Sequence, residues 1–173
     1  AIEEISLGPD HEPARNTRGY AAVRRTFDDN RDITQEMYYD ADGTPLELEA
    51  GFAGRSFQRD DRRPIIHAEY LDVDGAIVLN RRGIAQLNRV FNEEGFVTEE
   101  LFQGLDGEPV MSADGYARVS REYDDMGNVR LEAYFDTDGE RAMSMQGYAI
   151  VEREYNQDRL LISEAFFNAT ADA

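Results

Sequence analysis

Apolar and polar residues alternate loosely in two short stretches, residues 116–123 and 128–135, which are rich in aromatic and β-branched side chains. Such stretches are typical of β-strands. Residues 124–127, Asp-Asp-Met-Gly, separate them with the composition of a tight turn, so the pattern predicts a β-hairpin. Residues 136–139, Asp-Thr-Asp-Gly, predict a second turn before a short apolar stretch around Ala142. Since no stretch keeps a helical period over three turns, we expect an all-β chain.

The pattern recurs along the whole chain with a constant period. Gly-x-Ala begins at Gly19, Gly51, Gly83, Gly115 and Gly147, so the spacing is 32 residues throughout. We expect one repeat array with no second domain and no visible signal peptide, a piece of a longer array cut within a copy at both ends. Stacked hairpins of this kind predict an elongated solenoid or an open repeat sheet. The expected divisions are a partial copy at 1–18, full copies at 19–50, 51–82, 83–114 and 115–146, and a partial copy at 147–173.

The aromatic residues follow the same period. Sixteen of the 18 fall in four columns of the repeat, and Phe57 and Phe96 are the exceptions. One copy cannot bury these rings alone, so the pattern predicts a continuous aromatic strip between copies, whose first role is structural. The columns are Tyr20, Phe52, Tyr116, Tyr148; Phe27, Phe91, Tyr123, Tyr155; Tyr38, Tyr70, Phe102, Tyr134, Phe166; and Tyr39, Phe135, Phe167.

Two further columns carry opposite charges across the predicted hairpin. In the second copy both columns change together, to Phe57 and Ala68. This joint change indicates a cross-strand ion pair, directly opposite or diagonal. A repeated arginine partner favours a structural pair over a catalytic acid and base. The predicted pairs are Arg25 with Glu36, Arg89 with Glu100, Arg121 with Glu132, and Arg153 with Glu164.

Composition excludes several classes of function. The formal net charge is −18, which argues against a basic surface for nucleic acid, and no apolar run is long enough to insert into a membrane. All 18 basic residues are arginine. The absence of cysteine excludes thiolate chemistry and Cys-ligated zinc. No cofactor is expected, and without a nucleophile and base in a suitable pattern we do not expect an enzyme.

Asp-x-Asp-Gly raises a calcium alternative. At residues 136–139 the candidate ligands are Asp136 and Asp138, as in the middle of a calcium loop. The twelfth loop position would be Met145 here, which cannot supply the required carboxylate. Turn chemistry explains the motif without a metal, because Asp caps its own turn and Gly accepts positive φ. We therefore expect no metal site.

The motif Tyr134-Phe135-Asp-Thr-Asp-Gly, with Met143 and then Gly147-Tyr148, resembles the cell-wall-binding repeats of choline-binding proteins and the C-terminal repeats of clostridial toxins and glucan-binding enzymes. Residues 123–128 also resemble Tyr-Asp and MORN-like repeats of bacterial surface proteins. The resemblance implies a β-hairpin solenoid with aromatic pockets between consecutive hairpins. Carried over by position, a pocket would use Tyr116, Tyr134, Met143 and Tyr148.

The resulting expectation is a non-catalytic β-repeat module of a bacterial surface or envelope-associated protein, located outside the cell or in its envelope. It would bind a cell-wall glycan or act as a spacer. One alternative is a scaffold for a protein partner, using exposed positions such as Arg118, Ser120 and Glu122. Another is an accessory array of an enzyme whose catalytic domain lies elsewhere.

Overall fold

The computed structural model describes residues 1–62 and 64–170, and within these ranges the chain forms eleven β-strands and no helix. The strands lie in chain order in an open antiparallel sheet. The prediction of an all-β fold is therefore confirmed. The strands are β1 (Ile2–Ile5), β2 (Ala22–Phe27), β3 (Ile33–Tyr39), β4 (Gly54–Arg59), β5 (Ile65–Leu71), β6 (Gln86–Phe91), β7 (Val97–Gln103), β8 (Arg118–Tyr123), β9 (Val129–Phe135), β10 (Ile150–Tyr155) and β11 (Leu161–Phe167).

The chain is divided into two compact units, Ala1–Gln86 and Leu87–Ala173. In the first unit, β2 pairs with β1 and β3, and β4 pairs with β3 and β5. In the second unit, β8 pairs with β7 and β9, and β10 pairs with β9 and β11. Each of these strands thus lies beside its neighbours in the sequence, as in a β-meander.

Strand positions follow the period of the sequence. The first strands of the hairpins start at residues 22, 54, 86, 118 and 150, and the second strands start at 33, 65, 97, 129 and 161, so both sets are spaced by 32. Strand β8 begins two residues later than the alternation predicts. The reason is that the carbonyl of Tyr116 accepts from Ser112 N at 3.0 Å within the preceding turn, and the ladder toward β9 starts with Ala117 N donating to Phe135 O at 2.8 Å.

The Gly-x-Ala motif is explained by backbone conformation and by space. Each of its glycines has a positive φ, between 76° and 90°, which side-chain-bearing residues rarely adopt. Each alanine is completely buried, so a larger side chain has no room. Ala117 also connects two strands, because its carbonyl accepts from Phe102 N while its own N–H donates to β9. The buried alanines are Ala21, Ala53, Ala85, Ala117 and Ala149.

Consecutive long connections are also tied to each other through backbone hydrogen bonds. In the first unit Arg81 N donates to Ala50 O at 2.8 Å, and in the second unit Met145 N donates to Asp114 O at 2.8 Å. These bonds join turns that lie about one repeat apart. They fix one connection relative to the next inside each unit.

Each unit builds its core from valines under rows of aromatic rings. Val23 is fully buried against Tyr20 and Tyr38, and Val119 and Val151 are fully buried against Tyr134. The first row joins Tyr20, Tyr38, Phe52 and Tyr70, with centroid distances of 4.9, 6.3 and 4.9 Å. The second row joins Phe102, Tyr116, Tyr134, Tyr148 and Phe166, with distances of 5.5, 4.6, 6.0 and 4.7 Å. These spacings are those of interacting aromatic pairs, and four of the rings, Tyr20, Tyr38, Phe102 and Tyr134, are buried.

Candidate functional site

A cavity of about 280 Å³ lies beside the aromatic row of the second unit. Two tyrosine rings form part of its wall, and the connections between β7 and β8 and between β9 and β10 form the remainder. Polar and apolar groups therefore face the same small space. The lining residues are Asp114, Tyr116, Tyr134, Ser144, Met145 and Gln146.

The two rings are held firmly. Tyr116 and Tyr134 have centroids 4.6 Å apart, and Tyr134 is only 7% exposed. The Tyr134 hydroxyl donates to Glu132 Oε1 at 2.5 Å. Burial, together with this anionic acceptor, raises the pKa of Tyr134, so the phenol stays protonated far into alkaline solution.

The turn supplies the polar part of the cavity. Gly147 N donates to Ser144 O at 2.9 Å, and the Ser144 hydroxyl donates to Tyr148 O at 2.9 Å. The turn is therefore held by one backbone and one side-chain hydrogen bond. Gln146 is exposed, and its Oε1 accepts from the Tyr148 hydroxyl. Gln146, Asp114 and Ser144 thus line the same cavity as two tyrosines, a combination that suits a ligand with both apolar and hydroxyl-rich surfaces.

The set carried over from the resemblance overlaps this lining in part. Tyr116 and Tyr134 line the cavity, whereas Tyr148 and Met143 lie outside the lining. Tyr148 contacts the lining residue Tyr134, with a distance of 6.0 Å between the two ring centroids. Met145 takes the place expected for Met143. Sequence reasoning could have noticed it, since no other full copy has methionine in that column.

The four predicted ion pairs are all in contact. Their Nε to carboxylate distances are 3.6 Å for Arg25 with Glu36, and 2.8 Å for Arg89 with Glu100, Arg121 with Glu132, and Arg153 with Glu164. Three of them are direct neighbours in register, as are Phe57 and Ala68 where the pair is replaced. The contacts also continue between hairpins, since Arg121 reaches Glu100 at 3.1 Å.

One partner in this network was missed from the sequence. Arg55 lies 2.5 Å from Glu36, and it occupies the column that holds Val23, Val119 and Val151 in other copies. The signal was present, since an arginine in a valine column requires a counter-charge. Burial opposes ionisation of Glu36, but hydrogen bonds from Tyr38 and Arg55 outweigh it and lower its pKa.

The same balance holds in the second unit. Burial opposes ionisation of Glu100, yet the hydrogen bond from Arg89 and the charge of Arg121 lower its pKa. Both carboxylates are therefore ionised at neutral pH and fully engaged with arginine. This arrangement supports a structural role rather than proton transfer.

The calcium alternative falls on a turn whose carboxylate is already engaged. Asp136 Oδ1 accepts from Asp138 N at 3.0 Å and from Glu140 N at 2.9 Å, and Gly139 has a φ of 84°. This is the turn chemistry expected from the motif. Within residues 1–62 and 64–170, no group of three or more His, Cys, Asp or Glu side chains is placed to hold a metal ion.

Comparison with known protein families finds no matching family model, and comparison with curated proteins finds no match. Among the described residues there is also no helix of the length and apolar character needed to cross a membrane.

Proposed function

We propose that this chain is a non-catalytic binding module, formed by tandem 32-residue β-hairpins in an elongated array, of a bacterial surface or envelope-associated protein. Its ligand is a neutral glycan of the cell wall, and its site is the cavity lined by Tyr116 and Tyr134. Other copies of the repeat act as spacers or as weaker sites.

The chemistry of the lining supports this proposal. A sugar ring has an apolar face, which packs on an aromatic ring, and a rim of hydroxyl groups, which require donors and acceptors. The cavity is lined by two tyrosines together with Gln146, Ser144 and Asp114. The observation that carries the proposal is this joint placement of two closely packed tyrosines and polar side chains around one small space.

Charge favours a neutral ligand over an anionic one. The net charge of −18 repels anionic wall polymers, and Asp114 adds a carboxylate residue to the cavity itself. A single site of about 280 Å³ holds about one sugar unit. Useful affinity would then come from several copies contacting one polymer.

The first experiment is co-sedimentation with an insoluble bacterial cell-wall preparation, followed by competition with free sugar and with choline. Met145→Ala and Gln146→Ala should each weaken binding about fivefold, the equivalent of roughly 1 kcal/mol. Both side chains are exposed, so folding should be unaffected. Met143→Ala is the matched control, because this exposed methionine lies in the same connection but outside the lining.

Two outcomes would overturn the proposed site. Equal binding by the wild type and both cavity variants would exclude the cavity, and a loss confined to Met143→Ala would favour the set carried over by position. Binding that requires calcium would instead direct attention to Asp136 and Asp138. Absence of binding under all conditions would leave the scaffold and spacer roles.

A further inference from the structure

A larger cavity, of about 650 Å³, lies at the turn end of the hairpins in the second unit. The turn after β6 and the turn after β8 form most of its wall. It is separate from the tyrosine cavity described above and shares no lining residue with it. The proposed glycan site leaves it without a role.

A stacked pair of aromatic rings forms part of this turn-end cavity. Phe96 lies on Tyr123 with a centroid distance of 4.8 Å and an interplanar angle of 21°. The Tyr123 hydroxyl donates to Val97 O at 2.6 Å, and this bond anchors the Tyr123 ring. Phe96 remains 37% exposed, so the pair presents an aromatic surface to solvent.

Close packing against Gly127 positions the Phe96 ring. A Cβ atom added to Gly127 would lie 2.6 Å from Phe96 Cζ, well inside van der Waals contact. The φ of Gly127 is 82°, so this residue also provides the conformation that the turn needs. Phe96 stands outside the four aromatic columns, and the repeat core therefore does not explain it.

The rim of the turn-end cavity is acidic. Glu94 and Asp125 are exposed on the two turns that form it. Asp124 faces inward to its own turn, where Oδ1 accepts from Met126 N and Asn128 N at 2.9 Å each. Glu122 also lines the cavity but pairs with Arg130, so the exposed carboxylates without an ion pair among the described residues of this lining are those of Glu94 and Asp125.

Two arginines also line the turn-end cavity, and one of them is engaged within the chain. Arg121 is held by Glu132 at 2.8 Å and by Glu100 at 3.1 Å. Arg159 is exposed, and its charge lies near that of Asp124, which is itself hydrogen-bonded to Asn128. The lining carries four acidic residues, Glu94, Glu122, Asp124 and Asp125, against these two arginines, so its balance of charge beside the stacked rings is negative.

We propose that the turn-end cavity receives an arginine or lysine side chain from an extended basic segment of a partner protein. The cation would lie over the Phe96–Tyr123 pair, with Glu94 and Asp125 as counter-charges. Cation–π pairs of this kind already occur within the chain, where Arg118 lies 3.7 Å from the ring centroid of Phe135 and Arg24 lies 4.1 Å from that of Tyr39. A net charge of −18 would draw a basic partner from a distance.

The first unit provides an internal contrast. Its turn-end cavity, of about 500 Å³, is also acidic, with Asp28, Asp60 and Asp61 among its lining residues. Phe57 is the aromatic among its described lining residues, and Arg55 already lies over that ring at 5.4 Å. Acidity is therefore common to both units, whereas an uncovered ring pair is found here in the second.

The experiment is a binding titration with a fluorescein-labelled (Gly-Arg)₄ peptide at 0.15 M salt, with (Gly-citrulline)₄ as the neutral probe. Phe96→Ala should weaken arginine-peptide binding about tenfold. Phe96→Leu, which keeps the apolar packing and removes the π face, should also weaken it, and near-ultraviolet circular dichroism checks the fold of both. Glu94→Gln combined with Asp125→Asn should give a loss of similar size.

The matched control is Asp60→Asn combined with Asp61→Asn, the same change in charge at the turn of the first unit. We expect this variant to bind within twofold of the wild type. Equal losses from the two double variants, with Phe96→Leu unchanged, would show diffuse acidic attraction and overturn the proposal. Equal binding of the citrulline peptide, or no binding of the arginine peptide, would overturn it as well. None of these outcomes bears on the glycan site, which is tested with other variants and another ligand.

Discussion

In the second unit arginine and glutamate alternate from strand to strand in two fixed columns, whereas in the first unit the alternation changes column at β4. There Phe57 and Ala68 occupy the two charged positions as direct neighbours. Arg55, two residues before Phe57, supplies the cation and pairs with Glu36. In the second unit the equivalent step is made by Arg121 with Glu100.

The difference shows which requirement is fixed and which can vary. A half-buried carboxylate must have arginine on its neighbours, because an unpaired buried charge costs several kcal/mol. The column that supplies the arginine is free to change, provided that the position it leaves is filled by packing side chains. Phe57 and Ala68 fill that position, and the Arg55 guanidinium rests near the Phe57 ring. Charge pairing thus requires an arginine on the neighbouring strand but does not fix the position on that strand from which the arginine comes.

The largest predicted effect is in the second unit, where the charged columns are unchanged. Arg121→Ala leaves Glu100 and Glu132 without their shared cation, and we expect a loss of about 3 kcal/mol in the free energy of unfolding, measured in urea. Glu132→Ala combined with Arg121→Ala should lose less than the sum of the two single changes, since the pair is coupled.

Arg130→Ala is the matched control for that experiment. Arg130 pairs with Glu122, but both side chains are more than half exposed. Its removal should cost no more than about 0.5 kcal/mol. Additive losses at Arg121 and Glu132, or equal losses at Arg121 and Arg130, would contradict the structural role of the ion-pair network.

A smaller effect is expected in the first unit. Arg55→Val restores the valine of the other copies but leaves Glu36 with Arg25 at 3.6 Å, so we expect a loss of about 2 kcal/mol. Adding Phe57→Arg and Ala68→Glu rebuilds the pattern of the second unit. The triple variant should recover at least half of the loss in the same urea measurement. If Arg55→Val alone is as stable as the wild type, the pair of Arg55 with Glu36 does not contribute to the free energy of unfolding.

The smallest effect concerns acid. The pKa of Glu36 and that of Glu100 are both lowered on folding from the ordinary 4.5, so their stabilisation is complete above that value and is lost as pH falls through the lowered one. The difference in unfolding free energy between the wild type and Glu36→Gln should therefore shrink as pH falls from 6 to 3. Glu100→Gln should behave in the same way in the second unit.

Comparing each variant with the wild type at the same pH removes the effect of the overall charge, because that charge changes with pH almost equally in both proteins. Glu93→Gln, at an exposed position, should stay within about 0.5 kcal/mol of the wild type. A difference between wild type and Glu36→Gln that does not vary with pH would contradict the assigned pKa direction.

The sequence alone was sufficient for the all-β class, the spacing of the strands and the four arginine–glutamate pairs, because each depends on a residue type recurring at one period. The joint placement of Tyr116 and Tyr134 in one pocket came instead from the resemblance to wall-binding repeats. Arg55, Met145 and Phe96 were not assigned, and all three act where one copy departs from the others. Periodicity cannot show which neighbour a departing residue contacts, since that depends on side-chain reach across a strand or a turn.

The hydrogen bonds between consecutive long connections restrict how such a gene can change. Met145 N meets Asp114 O, and Arg81 N meets Ala50 O, only while the chain between them keeps its length. An insertion of a few codons there would misalign the contact, whereas gain or loss of a complete 32-residue segment would restore the same contact with the next copy. Unequal recombination in whole segments is thus the change in length that this architecture tolerates best.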